Sequence, residues 1–196
     1  MNRSFLLCGV GGQGTVLASR VLAQTAMDRG EYAGTAETIG MAQRGGCVVS
    51  HVRTGSGINS ALVPEGGADL LIGFEPSEAV RCMKYLKPDG VCIVSSKAVQ
   101  PVTAALTGKR LDSAEMIAYL KKHISRVIVV DTEAICESCA SPKVLNVALL
   151  GAAAESGKAG VSTSEIEEVL RKRLPEKLID MNLKALRLGA EAASEE

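Results

Sequence analysis

A short apolar run from Ser4 to Val10 breaks into Gly9-Val10-Gly11-Gly12-Gln13-Gly14. Apolar residues at helical spacing follow at once: Val16, Leu17, Val21, Leu22 and Met27. A buried strand that turns tightly into a helix is the opening unit of a layered α/β fold, and it restricts the chain more than any other feature. Gly30 is the natural stop for that helix. The glycines permit a tight turn and close backbone approach, and N–H groups at a helix start favour an anion. Gly9, Gly11 and Gly14 fit G-x-G-x-x-G, with Glu37 near the distance at which a ribose-binding acid is expected. An anion or phosphate loop at Gly9, Gly11, Gly12, Gln13 and Gly14, a dinucleotide site, and plain strand–helix packing all remain open on this motif.

Strands are expected at Glu31 to Ile39, Cys47 to Arg53, Ala68 to Phe74, Val91 to Ser96 and Arg126 to Asp131. A turn at Thr54-Gly55-Ser56-Gly57 predicts a hairpin returning over Ile58 to Val63. Glu75-Pro76-Ser77-Glu78 starts a helix to about Leu86, with Lys87-Pro88-Asp89-Gly90 a turn after it. Lys97 to Lys109 reads as an irregular connection. Asp112 caps a helix to His123. Beyond Asp131 the chain reads as helical: Pro142 to Ser156, then Ser162 to Arg173 with a capping signal, then Pro175 to Leu188. Gly189 is expected to end the last helix and residues 190–196 to fray. The prediction is a three-layer α/β/α fold with a mixed, mostly parallel, Rossmann-like sheet. One domain spans 1–196, its sheet core over 1–131 and its helical part over 132–190. With aromatics at 3% and no Trp, Ala, Val, Leu and Ile must supply the core.

A second glycine-rich stretch, Gly40-Met41-Ala42-Gln43-Arg44-Gly45-Gly46, sets an Arg beside two glycines. Gln43, Arg44, Gly45 and Gly46 can present a guanidinium and backbone N–H groups to a carboxylate or phosphate. In the strand that follows, His51 and Arg53 share one face, so Arg53 should disfavour charge on His51. Arg44 and His51 are the candidate catalytic residues, although a bare strand His is more often a structural hydrogen-bonding group. No metal site is expected, since neither His51 nor His123 has ligand spacing around it. Cys136 and Cys139 form a C-x-x-C pair that lacks a second half for zinc or a cluster, and the other four Cys read as small core residues.

Lys plus Arg and Asp plus Glu are 22 each, so bulk charge gives no reason to expect nucleic acid or an anionic membrane. No apolar run reaches the roughly 18 residues of a membrane span, and the N-terminus reads as a strand rather than a signal peptide. A cytoplasmic protein is expected.

Taken together, the two glycine-rich stretches, Ser50-His51-Val52-Arg53, Ala68-Asp69, Phe74-Glu75-Pro76-Ser77-Glu78-Ala79, Asn146 with Leu150-Gly151, and Asn182 with Ala185 and Gly189 resemble the gamma component of the pyruvate/2-oxoacid:ferredoxin oxidoreductases. The Met-Ala-Gln-Arg-Gly-Gly stretch is most similar to the small (beta) subunits of indolepyruvate ferredoxin oxidoreductases. The resemblance runs from about Phe5 to Gly189. It implies oxidative decarboxylation of a 2-oxoacid on thiamine diphosphate with magnesium, electrons passing through iron–sulfur clusters to ferredoxin, and coenzyme A taking the acyl group. The chain has no Gly-Asp-Gly element and no Cys-rich cluster run. The resemblance therefore implies that this chain alone binds no cofactor and that a large catalytic subunit carries them. An obligate subunit of this kind is expected to expose an apolar face, over which the isolated chain would self-associate. Two other functions fit the residues: a stand-alone NAD(P)- or flavin-binding oxidoreductase, and a non-catalytic assembly module.

Overall fold

A computed structural model describes residues 2–39, 46–100 and 112–194. Strand β1 (Arg3–Val10) runs into helix α1 (Thr15–Asp28), and Gly30 ends that helix at φ 78°. Strands β2 (Tyr32–Ile39) and β3 (Cys47–Gly55) follow, then β4 (Ala68–Gly73), α2 (Pro76–Cys82) and β5 (Leu86–Ser95). After these come α3 (Ser113–His123), β6 (Val127–Val130), α4 (Thr132–Ser138), α5 (Leu145–Glu155), α6 (Thr163–Arg173) and α7 (Glu176–Ser194). Among the described residues the sheet has six strands in the order β2-β3-β1-β4-β5-β6. Strands β1, β4, β5 and β6 are parallel neighbours, while β3 runs antiparallel to both β1 and β2.

The mixed sheet was expected, but its cause differs. The antiparallel strand is β3, paired with β1 on one side and on the other with β2, which the second glycine-rich stretch connects to it; residues 58–63 form no strand. That segment is pinned instead by the Val63 N–H, which donates to His51 Nδ1 at 3.1 Å. The turn expected at Lys87–Gly90 is a bulge within β5: Leu86 lies opposite Ala68, and the next pair is Val91 with Leu70. The β4–β5 helix is also shorter than expected, ending at Cys82 in a single 3₁₀ turn over Met83–Tyr85.

The parallel strands are continuous apolar runs because helices cover both faces. One face packs Phe5, Leu7, Leu70, Ile72 and Ile93 under α1, α5, α6 and α7. The other packs Leu6, Cys8, Leu71, Cys92 and Val94 under α2 and α3. The C-terminal helices thus share the core of the sheet. Helix α5 is buried nearly all round, and α7 lies against it. Gly189, expected as a stop, is a contact point between these two helices. A Cβ there would meet the Ala148 carbonyl oxygen at 1.9 Å, and α7 continues to Ser194 with Ala190 and Ala193 buried. The residues expected to fray are helical as far as Ser194 because they still have core to cover.

Candidate functional site

The carboxyl ends of β1, β4, β5 and β6 lie along one edge of the sheet, the edge where open α/β folds bind ligands. The glycine-rich turn after β1 sits there. Gly14 is the N-cap of α1 with φ 84°, a left-handed conformation that glycine adopts without strain. Gln13 folds back over the turn. Its Oε1 accepts from the Val10 N–H at 2.8 Å, and its Nε2 donates to the Phe74 carbonyl at 2.9 Å. Gly9 must be glycine because a Cβ would lie 2.7 Å from both Gln13 Oε1 and Phe74 Cβ. The Gly11 N–H donates to the Gly46 carbonyl at 2.8 Å, and the Gln13 N–H to Val10 at 3.3 Å. Three donors of the turn are therefore used internally. Among the described residues, the N–H groups of Gly12 and Gly14 have no such partner.

The Gly11–Gly46 bond brings the two glycine-rich stretches together, because Val10 at the end of β1 pairs with Cys47 at the start of β3. Gln43, Arg44 and Gly45 lie outside the described residues. His51 is elsewhere. It pairs with Leu6 in mid-sheet, three residues from Gly9, which is roughly 10 Å along a strand. It is buried, accepts from Val63, and meets the Tyr85 ring edge-on at a centroid distance of 6.2 Å. Its pKa is lowered, as expected, but burial is the cause rather than Arg53, whose Nη1 donates to the Ser60 carbonyl instead. An Nδ1 that accepts a backbone N–H carries no proton.

The dinucleotide reading meets a topological obstacle. In a dinucleotide-binding unit the acid-bearing second strand lies beside the first. Here β3 separates them, and Glu37 pairs with Ser50 on the far edge. Glu75 and Glu78 also oppose an anion near the turn. Both are buried, and Glu75 Oε2 accepts from the Glu78 N–H at 3.0 Å to cap α2. This capping segment is tied to the turn through Phe74, whose N–H donates to Cys8 and whose carbonyl accepts from Gln13.

A cleft of about 430 Å³ lies along the same edge. Gln13 forms one wall, Lys97 and Val99 beyond β5 another, and Thr132, Glu133, Cys136 and Glu137 of α4 a third; Pro142 and Leu145 close it. The Thr132 and Ser95 hydroxyls share a buried hydrogen bond of 2.7 Å that ties α4 to the end of β5, and the Lys97 ammonium pairs with Glu133. Burial raises the Cys136 thiol pKa. Cys139 is buried at the end of α4, so the C-x-x-C pair has one member in the cleft and one in the core. Sequence reading noticed these cysteines but missed Lys97, Glu133 and Glu137. Their signal was position: Lys97 and Glu133 follow the ends of parallel strands by two or three residues, and Glu137 lies one helical turn after Glu133.

Of the remaining thiols, Cys8, Cys82 and Cys92 are buried packing groups, as expected, whereas Cys47 is only partly buried and lies outside the core clusters. Cys8 is fully buried and hydrogen-bonded to Cys82, a contact that together with burial holds its pKa well above the ordinary value. Burial pushes Cys92 to about 12, and burial with the nearby Glu78 does the same to Cys47.

Residues 4–192 match the family model described as pyruvate ferredoxin/flavodoxin oxidoreductase. The chain belongs to this family. It is 39% identical over 190 residues to indolepyruvate oxidoreductase subunit IorB of Archaeoglobus fulgidus, covering 96% of this chain and 94% of that protein. It is 33% identical over 194 residues to the subunit of the same name from Pyrococcus horikoshii, covering 98% and 96%. The gamma subunit of a keto/oxoacid ferredoxin oxidoreductase from Geobacter sulfurreducens shares the fold, with a TM-score of 0.71 at 23% identity over 99% of both chains. This member of the pyruvate ferredoxin/flavodoxin oxidoreductase family is thus an oxidoreductase subunit. Among its described residues no helix is long and apolar enough to cross a membrane.

Proposed function

We propose that this chain is the small subunit of an indolepyruvate-type 2-oxoacid:ferredoxin oxidoreductase. It works with a larger subunit that holds thiamine diphosphate, magnesium and the iron–sulfur clusters. The observation that carries this reading is full-length similarity to the IorB subunits. The chain's own donors do not fit those groups. Among the described residues no three His, Cys, Asp or Glu side chains converge as metal ligands, and the thiols of Cys8, Cys82 and Cys92 are core groups. No step through those cofactors is assigned to this chain.

Its role is positional. The edge bearing the Gly9–Gly14 turn and Gly46 faces the mouth of the partner's active site. There Arg44 offers charge to the carboxylate of an aryl 2-oxoacid or to a phosphate of coenzyme A. Topology speaks against the stand-alone nucleotide enzyme, because β3 lies between β1 and Glu37. An assembly module without influence on turnover remains the competing outcome.

The test is reconstitution. The purified chain and its large subunit are mixed, and ferredoxin reduction is followed with indolepyruvate and coenzyme A. Turnover that requires both chains supports the reading; full turnover by the large subunit alone rejects it. Arg44→Ala is expected to lower turnover of the assembled enzyme at least tenfold with an unchanged melting temperature. Unchanged turnover in an intact complex removes Arg44 from the site.

A further inference from the structure

Several hydrogen-bonding groups in the walls of the cleft between the β1–α1 turn and α4 are already engaged. Gln13 is bonded at both ends of its amide. Thr132 is paired with Ser95, and the Ser141 Oγ accepts from the Lys143 N–H at 3.3 Å. Small-molecule sites present a few converging polar groups with bonds to give, and with these groups engaged the charged one left in the lining is Glu137. Charge argues in the same direction. The lining holds one ammonium and two carboxylates, and Lys97 is paired with Glu133. Glu137, exposed one turn further along α4, has no ion pair among the described residues. An anionic ligand is therefore disfavoured, while an apolar group with a cation beside it is favoured. The apolar wall is accessible, since Val99 is 36% exposed.

We infer that this cleft receives an anchor from the partner subunit: an aromatic side chain inserted against Val99 and Leu145, with an adjacent Arg or Lys facing Glu137. Interfaces draw much of their energy from such aromatic and Arg residues seated in preformed pockets. The cleft volume of about 430 Å³ accommodates a ring together with the stem of a neighbouring basic residue. The inference rests on the assembly reading above and adds to it the surface and the chemistry of the contact.

Cys136 is a reporter built into the wall. The complex of this chain with its large subunit and the chain alone are each treated with N-ethylmaleimide at alkaline pH, and alkylation of Cys136 is followed by peptide mass spectrometry. The rate is expected to fall at least tenfold in the complex. Glu137→Lys, a change at an exposed position, is expected to raise the dissociation constant about tenfold while leaving the melting temperature of the free chain unchanged. Equal alkylation in an intact complex overturns the inference and leaves the assembly reading standing. Protection of the free chain that grows with its own concentration assigns the cleft to a second copy and also overturns it. An unchanged dissociation constant for Glu137→Lys removes the basic neighbour. If the wild-type chains do not co-elute, the assembly reading falls and this inference falls with it.

Discussion

Gly151 of α5 lies against the Leu186 carbonyl of α7 so closely that a Cβ would stand 1.9 Å from that oxygen. The contact is reciprocated by Gly189 against Ala148. Two backbones at this distance cannot admit a methyl group without moving apart. Gly151→Ala is expected to destabilise the chain by about 3 kcal/mol despite its better helix propensity, since overpacking of a fixed contact outweighs a gain of about 1 kcal/mol. At roughly 2–4 °C per kcal/mol the melting temperature should fall by about 6–12 °C. A neutral or stabilising result in thermal unfolding shows that the helices can separate freely.

Arg29, just past α1, holds the N-terminus of α6. Its guanidinium engages both Glu165 oxygens, the second from Nη2 at 2.6 Å, and donates to the Gly160 carbonyl. Glu165 is in turn the third residue of a capping box with Ser162. The Arg29 contact lowers the Glu165 pKa to about 2 from 4.5. A carboxyl with a depressed folded pKa contributes stability above its unfolded pKa and loses it as pH falls through the folded one. The contribution should therefore be complete above about pH 5 and vanish between 4.5 and about 2. The pair is partly exposed, so Arg29→Ala should cost about 1 kcal/mol or less at pH 7. Urea midpoints for wild type and variant should converge as pH approaches 2; a constant gap refutes the assignment.

His51 is a second group whose folded pKa is lowered, here by burial rather than by a neighbouring cation. Its folded pKa lies below 6.5 because it is buried, so the unfolded chain takes up its proton first as pH falls. Stability is fully present above pH 6.5 and declines below it. His51→Phe removes this dependence but leaves the Val63 N–H without an acceptor, at a cost of about 1–3 kcal/mol. Chemical denaturation from pH 7.5 to 5 separates the two effects. A variant that keeps the wild-type slope places the titration elsewhere.

Gln13 closes the glycine-rich turn from within. Gln13→Ala orphans the Val10 N–H and the Phe74 carbonyl, at a cost of about 1–3 kcal/mol. The amide of Val10 should then exchange with solvent at least tenfold faster, which hydrogen exchange measures at residue level. Unchanged exchange means that water replaces the amide without loss.

The strand–turn–helix opening was legible because an apolar run, a glycine turn and a 3.6-residue period point to one solution. The caps at Asp112 and Ser162 were equally local: each side chain accepts a backbone N–H two or three residues on. The errors fell where a residue's local preference opposed its tertiary neighbours. Gly189 reads as a helix stop until α5 is seen to need its missing side chain. The 58–63 segment reads as a returning strand because a glycine-rich turn precedes it, yet the position beside β3 is taken by β2, and Val63 bonds to a histidine ring instead.

The site divides in the same way. The two glycine-rich stretches could be named from sequence, and β1–β3 pairing brings Gly11 to Gly46. The cleft could not be named, because Gln13, Lys97, Glu133 and Glu137 come from three separate connections that only the parallel alignment of β1, β5 and β6 places along one edge. By itself the sequence determined what depends on neighbours within a few residues: strand and helix type, caps, the glycine turn, and the family resemblance written in those motifs. Tertiary structure decided strand order, the burial of His51, the closure of the glycine turn by Gln13 and the cleft. Each of these rests on contacts between segments far apart in the chain, and local periodicity carries no information about which distant segments will meet.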